Sequence, residues 1–196
     1  MKQITNSILM IRPVQFRMNE QTAVNNYYQK QLRDLNPETI QFKALQEFDW
    51  LVDKLKLIGV NVIVIQDTKE SNTPDSIFPN NWVSFHENGN VGVFPMFAKN
   101  RRLERREDIF DVLEENGFII KNFYDYTAAE DDEIFLEGTG SLLLDRVHRK
   151  AYCAISPRAD EDLFIEFCED FEFTPVTFIS NQSVDGKRLP IYHTNV

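Results

Sequence analysis

Trp82-Val-Ser-Phe-His-Glu-Asn-Gly-Asn-Val-Gly-Val-Phe-Pro95 and Ser141-Leu-Leu-Leu-Asp-Arg-Val-His-Arg-Lys-Ala-Tyr-Cys-Ala-Ile-Ser-Pro157 follow one pattern. Each is an apolar run, a polar turn, a returning apolar run and a proline. Trp82–Phe85 and Val91–Phe94 read as the first hairpin, Ser141–Leu144 and Lys150–Ile155 as the second. After the first, Leu103–Glu115 has helical spacing at Ile109, Val112 and Leu113, Gly117 stops it, and Phe118–Phe123 is a strand. After the second, Asp160–Phe171 is a helix with Phe164, Phe167, Cys168 and Phe171 inward, and Pro175–Ile179 is a strand. The two first strands are 59 residues apart and the two prolines 62. A repeated hairpin-helix-strand unit predicts a repeat architecture about a common axis; the bland reading is coincidence within an ordinary α/β domain.

Upstream, Ser7–Ile11 is a short buried strand, and residues 14–38 are polar and irregular, with room for a helix over Gln21–Leu32. Between Glu38 and Ile58, steps of three and four place Phe42, Leu45, Phe48, Leu51, Val52, Leu55 and Ile58 on one helical face, and Gly59 ends it. Val60–Ile65 is a β-branched buried strand. Downstream, Leu189–Tyr192 begins a third hairpin whose partner strand is missing, so its backbone groups call for something to follow.

The chain has 196 residues, 42% of them hydrophobic, which suffices for a single domain over 1–196 with a real core. A net charge of −10 argues against nucleic-acid partners, although one local arginine can still hold the carboxylate of an anionic small molecule. Ile8–Ile11 is too short for a membrane span or a signal-peptide core. Cys153 and Cys168 are too few for a disulfide framework and read as buried core thiols of a cytoplasmic protein.

No Cys/His set has zinc spacing, and Glu130-Asp-Asp-Glu133 lacks calcium-loop spacing, so it reads as a solvated turn; no metal or cofactor is expected. His148 belongs to a surface turn, and His86 to packing or capping. His193 projects at a strand end between Tyr192 and Asn195. Glu137, in Phe135-Leu-Glu-Gly-Thr-Gly-Ser141, precedes a tight turn and could orient a histidine or move protons; the bland reading is a surface ion pair. Arg101, Arg102, Arg105 and Arg106 open a helix, with surface pairing to Glu104 and Glu107 as the plain reading. Arg158, in a strand-to-helix turn, could fork onto a carboxylate.

The runs Thr73-Pro-Asp-Ser-Ile-Phe-Pro-Asn-Asn-Trp-Val-Ser-Phe-His86, Asn100-Arg-Arg-Leu-Glu-Arg-Arg106, Phe135–Ser141, Ser156-Pro-Arg158 and Tyr192-His-Thr-Asn-Val196 together resemble the amidinotransferase superfamily of guanidino-group-modifying enzymes, in its citrulline-hydrolase-type branch. Arginine deiminase and dimethylarginine dimethylaminohydrolase are relatives. The resemblance spans essentially the whole chain. It implies an α/β propeller of the pentein type, of which this chain would supply about three of five modules, the N-terminal part. It implies hydrolysis of a C–N bond in a citrulline- or arginine-like amino acid by a Cys-His-Glu covalent mechanism, in hydrolase or transferase form. Glu137 would be the catalytic carboxylate and His193 the general acid/base. Arg158 would bind the substrate carboxylate, with Arg101 or Arg102 assisting. Asn81 and Asn195 stand where deiminases have Asp; two amides suit a neutral ureido group, or are simply structural. The family cysteine lies further along than Val196, and neither cysteine here matches it. Two expectations stand side by side. One is an enzyme completed by a missing C-terminal part or a second polypeptide. The other is a non-catalytic remnant binding a small ligand or a partner, with self-association through the unpaired 190–193 strand.

Overall fold

A computed structural model describes residues 2–29 and 36–196. β1 (Ser7–Arg12) is followed by a single helical turn, α1 (Glu20–Ala23), then α2 (Pro37–Leu57) and β2 (Asn61–Gln66). β1 and β2 run parallel, Ser7 opposite Asn61 and Arg12 opposite Gln66, so the chain must cross over between them, and α2 is the crossover. The Asn36 side chain accepts from Thr39 N and Pro37 occupies the first turn; Gly59, at φ +89, takes the left-handed residue after the helix.

Two expectations change here. The helix over Gln21–Leu32 shrinks to α1, with residues 30–32 outside the described residues. The Thr22 hydroxyl turns back to Asn19 O, and Asn25 and Asn26 N–H both end on Thr22 O, which closes the turn instead of extending it. On α2 only Phe48 and Val52 of the apolar stripe are buried, while Phe42, Leu51 and Ile58 are exposed. A two-stranded platform is too narrow to cover the whole stripe.

The repeat is present in space. β3 (Val83–Phe85), β4 (Asn90–Val93) and, after α3 (Asp108–Glu115), β5 (Asn122–Asp125) form a sheet in the order β3-β4-β5. The first pairing is antiparallel and the second parallel. After another helical turn, α4 (Gly138–Ser141), the strands β6 (Leu142–Asp145), β7 (Lys150–Ala154) and, beyond α5 (Glu161–Asp170), β8 (Thr174–Phe178) repeat that order and sense. Inside the first unit the boundaries move. Lys99–Glu104 is a 3-10 turn, Arg105 is extended, and the α-helix starts only at Asp108. Arg105 is drawn to Glu130 and Arg106 to Asp108, so the basic cluster breaks the helix it was expected to open. The strand expected from Phe118 starts at Asn122, because Phe118 and Ile120 fold back onto the core under α3.

The third hairpin is complete. β9 (Asn181–Val184) pairs antiparallel with β10 (Lys187–Pro190) across Asp185-Gly186, both at positive φ as a tight hairpin turn requires. The expected unpaired strand over 189–193 is therefore corrected: β10 has its partner, and residues 191–196 leave the strand after Pro190. Among the described residues the sheets have two or three strands and none closes.

Three cores follow this order. Phe48, Val52 and Val62 lie between α2 and one face of the β1–β2 pair. Ile11 and Ile65, on its other face, join Trp82, Val91, Met96, Ile109 and Leu113. Being buried on both faces explains why these parallel strands read as unbroken apolar runs. Phe164, Phe167, Phe171 and Phe173 fill the third core, with Phe94 and Tyr126 joining it from the preceding unit.

Candidate active site

Gly138 sits at φ +36 with its Cα against the 3-10 turn Pro79–Asn81; a Cβ there would overlap Asn80 O and lie 2.9 Å from Asn81 O. That close approach brings the residue before it, Glu137, alongside Asn81. Glu137 is fully buried, its N–H donating to Arg158 O at 3.1 Å. From the turn after β10, His193 Nε2 reaches Glu137 Oε2 at 2.7 Å. Asn81 Nδ2 lies 3.4 Å from the same ring nitrogen, and Phe97 N donates to Glu137 Oε1 at 3.0 Å. Arg158 Nη1 is 3.5 Å from Glu137 Oε2.

Burial pushes the Glu137 carboxyl up. The hydrogen bond and charge of His193, with the charges of Arg158 and Arg101, outweigh it and hold the group at about 2. Burial likewise lowers His193, against the pull of Glu137. The arginines stay charged whatever the ring does, so Glu137 is an ionised acceptor. His193 Nε2 then carries the proton, and Nδ1 of the neutral ring is left as an acceptor.

Asn81, Arg101, Arg158, Tyr192, His193 and Asn195 share the wall of a cavity of about 930 Å³, with Glu137 behind them. Arg158 is buried, stacked on Tyr192 at 4.6 Å. Its Nε donates to Asn25 Oδ1 at 2.9 Å, and its Nη2 to the same oxygen and to Thr22 O at 2.7 Å. Arg101 is buried, not at the surface as the plain reading of the basic cluster had it, and keeps the expected pairing with Glu104 through two bonds of 2.9 Å while donating to Phe78 O at 3.1 Å. Asn195 Nδ2 donates to Thr139 O at 3.3 Å. Arg102 is outside the wall, bonded to Met96 O and 3.4 Å from Glu130. Glu130, expected in a solvated turn, is tied by Arg105 as well, while Asp131, Asp132 and Glu133 are exposed.

Asp75 also lines the cavity, accepting from Asn19 Nδ2 at 2.7 Å and Thr22 Oγ1 at 3.3 Å. Sequence reading missed it, although it lies inside the Thr73–His86 run; spacing alone does not separate it from an ordinary turn aspartate. Cys153 and Cys168 lie in the third core, away from the cavity wall, and burial pushes both thiols up to about 12. His86 is buried against Phe171, as a packing residue, and His148 is exposed and bonded to Asp145. Among the described residues no group of His, Cys, Asp and Glu is placed to hold a metal ion, and no helix is long and apolar enough to cross a membrane.

This fold matches the pentein class of guanidino-group-modifying proteins, in the branch of the dimethylarginine and arginine hydrolases. Within it, the chain belongs to the eukaryotic N,N dimethylarginine dimethylhydrolase family, whose model matches residues 12–196. No curated protein matches the chain. Among solved structures, the substrate-bound N-terminal domain of ArgZ, a cyanobacterial arginine dihydrolase, is 23% identical; the match covers 95% of this chain and 60% of that one, with a TM-score of 0.65. Unliganded AgrE is 20% identical over 95% of this chain and 24% of its own, with a TM-score of 0.64. The Pseudomonas aeruginosa dimethylarginine hydrolase, a mutant complexed with citrulline, is 15% identical over 92% of this chain and 63% of its own, with a TM-score of 0.61. The chain thus spans about 60% of the length of the ArgZ domain.

Proposed function

We propose that residues 1–196 form one domain of successive propeller modules and carry the proton-transfer and substrate-holding part of a hydrolase. It acts on the C–N bond of a ureido or guanidino group in a citrulline- or arginine-like amino acid. The observation that carries this reading is the buried His193–Glu137 pair at 2.7 Å beside Asn81 on the cavity wall. Family membership and the arginine- and citrulline-binding neighbours support the substrate class.

In this reading a cysteine from outside these residues passes its thiol proton to Nδ1 of His193, and the thiolate so formed attacks the ureido or guanidino carbon. The C–N bond breaks, and the departing nitrogen takes a proton from His193. The same ring then removes a proton from the water that attacks the carbon and releases the thiolate. Glu137 keeps the ring oriented and stabilises its protonated form. Asn81 and Asn195 offer both donors and acceptors, which suits a neutral ureido group better than a cation. Arg158 receives the substrate carboxylate. Neither Cys153 nor Cys168 fits the nucleophile, since a buried thiol pushed up to about 12 holds almost no thiolate at neutral pH.

The test is ligand calorimetry on the chain together with an ammonia-release assay. Citrulline binding tighter than arginine, reversed by Asn81→Asp, is expected, with no ammonia from the 196 residues alone. Ammonia release abolished by Cys153→Ser would overturn the assignment. The buried thiols also favour a second reading, a non-catalytic domain that binds the same ligand or a partner chain. Citrulline binding without turnover, even when a cysteine-bearing remainder of the ring is supplied, would select it.

A further inference from the structure

The turn that carries His193 has no regular secondary structure to hold it, yet its ring must meet Glu137 within a hydrogen bond. Its backbone is tied at Gly140, whose carbonyl accepts from Thr194 N at 3.1 Å and Asn195 N at 3.2 Å. Tyr192 O accepts from Ser156 Oγ at 2.8 Å. One side chain goes further. Thr194 Oγ1 donates to Ser141 O, at the end of α4, and accepts from Ala154 N at 2.8 Å, at the end of β7.

The sense of both bonds is forced, because a carbonyl only accepts and an amide only donates. The Ala154 amide needs this partner. Ile155 N already bonds toward β8, through Phe178 O, so Ala154 N points to the β6 side. β6 begins at Leu142, opposite Cys153, and leaves no strand residue to receive it. The hydroxyl fills that place. Ser141 closes the helical turn that starts at Glu137, and β7 leads directly to Arg158. One oxygen therefore joins the segments bearing Glu137, Arg158 and His193.

We propose that Thr194 is a positioning residue, its hydroxyl holding the His193 turn in register with Glu137. The inference rests on the reading of His193 and Glu137 as the proton-transfer pair. Valine has the shape of threonine but can neither donate nor accept. Thr194→Val therefore leaves a buried amide and carbonyl without their partner, and the turn can relieve this only by opening to water.

The experiment is imidazole-detected NMR of the full chain and of its Thr194→Val and Thr194→Ser forms, with the methyl signals of Val52, in the core under α2, as a remote probe of folding. In Thr194→Val the His193 Nε2 signal should lose its carboxylate-bonded shift. The titration midpoint of His193, which faces Glu137, Arg158, Arg101 and Tyr192, should rise toward the ordinary histidine value. Thr194→Ser should retain both properties of the parent. If Thr194→Val does not fold, Thr194→Ala removes the same hydroxyl with less crowding. A folded Thr194→Val or Thr194→Ala with an unchanged His193 signal and midpoint overturns the proposal. So does a Thr194→Ser that behaves like valine, or unfolding of both deletions, which would make the hydroxyl a determinant of the fold. None of these readouts needs turnover, so failure of the hydrolase reading would leave them as they are.

Discussion

At Gly140 the space a side chain would need is already taken. A Cβ would overlap Asn81 Nδ2 and stand 2.7 Å from His193 Cε1, and both neighbours are buried. Gly140→Ala should therefore push His193 away from Asn81 and cost about 1–3 kcal/mol, the usual range for overpacking. Denaturant titration checks this, and a neutral result would show the site to be looser than the geometry. His86 sets a pH dependence. Arg146 Nη1 donates to its Nδ1 at 3.1 Å, and Ser84 Oγ lies 3.0 Å from Nε2, so the neutral ring has partners on both sides. Burial first, then the charges of Arg146 and Arg149, lower its value to about 3. Between an ordinary value near ~6.5 and that of the fold, only the unfolded chain takes the proton. The stabilisation is therefore complete above about pH 6.5 and is lost as pH falls toward 3, with a slope of up to ~1.4 kcal/mol per pH unit. His86→Gln should flatten that slope in denaturant titrations from pH 4 to 7. The packing role of His86 was legible from its strand-end position, whereas the meeting of Glu137 with His193 was expected only through the family resemblance, since neither residue's local sequence points to the other. Thr22 and Asn25 were not legible as neighbours of Arg158, since 136 and 133 residues separate them and no local pattern encodes such a contact.

Between elements, the segment from Asn19 to Asn26 acts as a polar strap. Asn19 bonds Asp75 and Asn100, Gln21 Oε1 accepts from Asn100 N, and Thr22 O and Asn25 Oδ1 receive Arg158. Asn25 thus uses the two donors of Arg158 that a substrate carboxylate would take in the proposed function. Asn25→Ala should tighten citrulline binding severalfold. Asn25→Asp should weaken it more than tenfold, because a charge-assisted fork is roughly twice as strong as a neutral one and closes the strap. Calorimetry on the two variants decides it; equal affinities would mean that the carboxylate binds elsewhere. The strap was invisible in the sequence because its energy lies in asparagine amides, which look the same in a loop that holds nothing. Regular elements were easier. β1 to β4, β6 to β8 and α5 lie within a residue of where apolar spacing puts them, but β5 starts late and β9 was not expected, and the basic run at 99–106 misled because ion pairs to Glu130 and Asp108 overrode helical preference.

Across the whole molecule, the repeat was legible because both units keep the order hairpin, helix, strand, although the first carries a longer connection, with the Lys99–Glu104 turn, between its hairpin and its helix. Its uneven energetics were not, since apolar spacing shows which face turns inward and not what is there to meet it. The core around α5 combines Phe164, Phe167, Phe171 and Phe173 with Phe94 and Tyr126 from the unit before, so two units share it. The core under α2 buries only Phe48, Val52 and Val62, and leaves Phe42, Trp50, Leu57 and Ile58 exposed. In a repeat architecture each unit is held by its own core and by its neighbours, so local opening should follow this gradient. Amide hydrogen exchange should show the strongest protection in α5 and β7, less in α3 and β4, and the least in α2 despite its 21 residues. Phe167→Ala should cost about 3–5 kcal/mol and lower protection in both units that share its core, while Val52→Ala should act on α2 and β2 alone. Uniform protection, or a Phe167→Ala effect confined to α5, would mean that the units do not couple through the shared aromatic core.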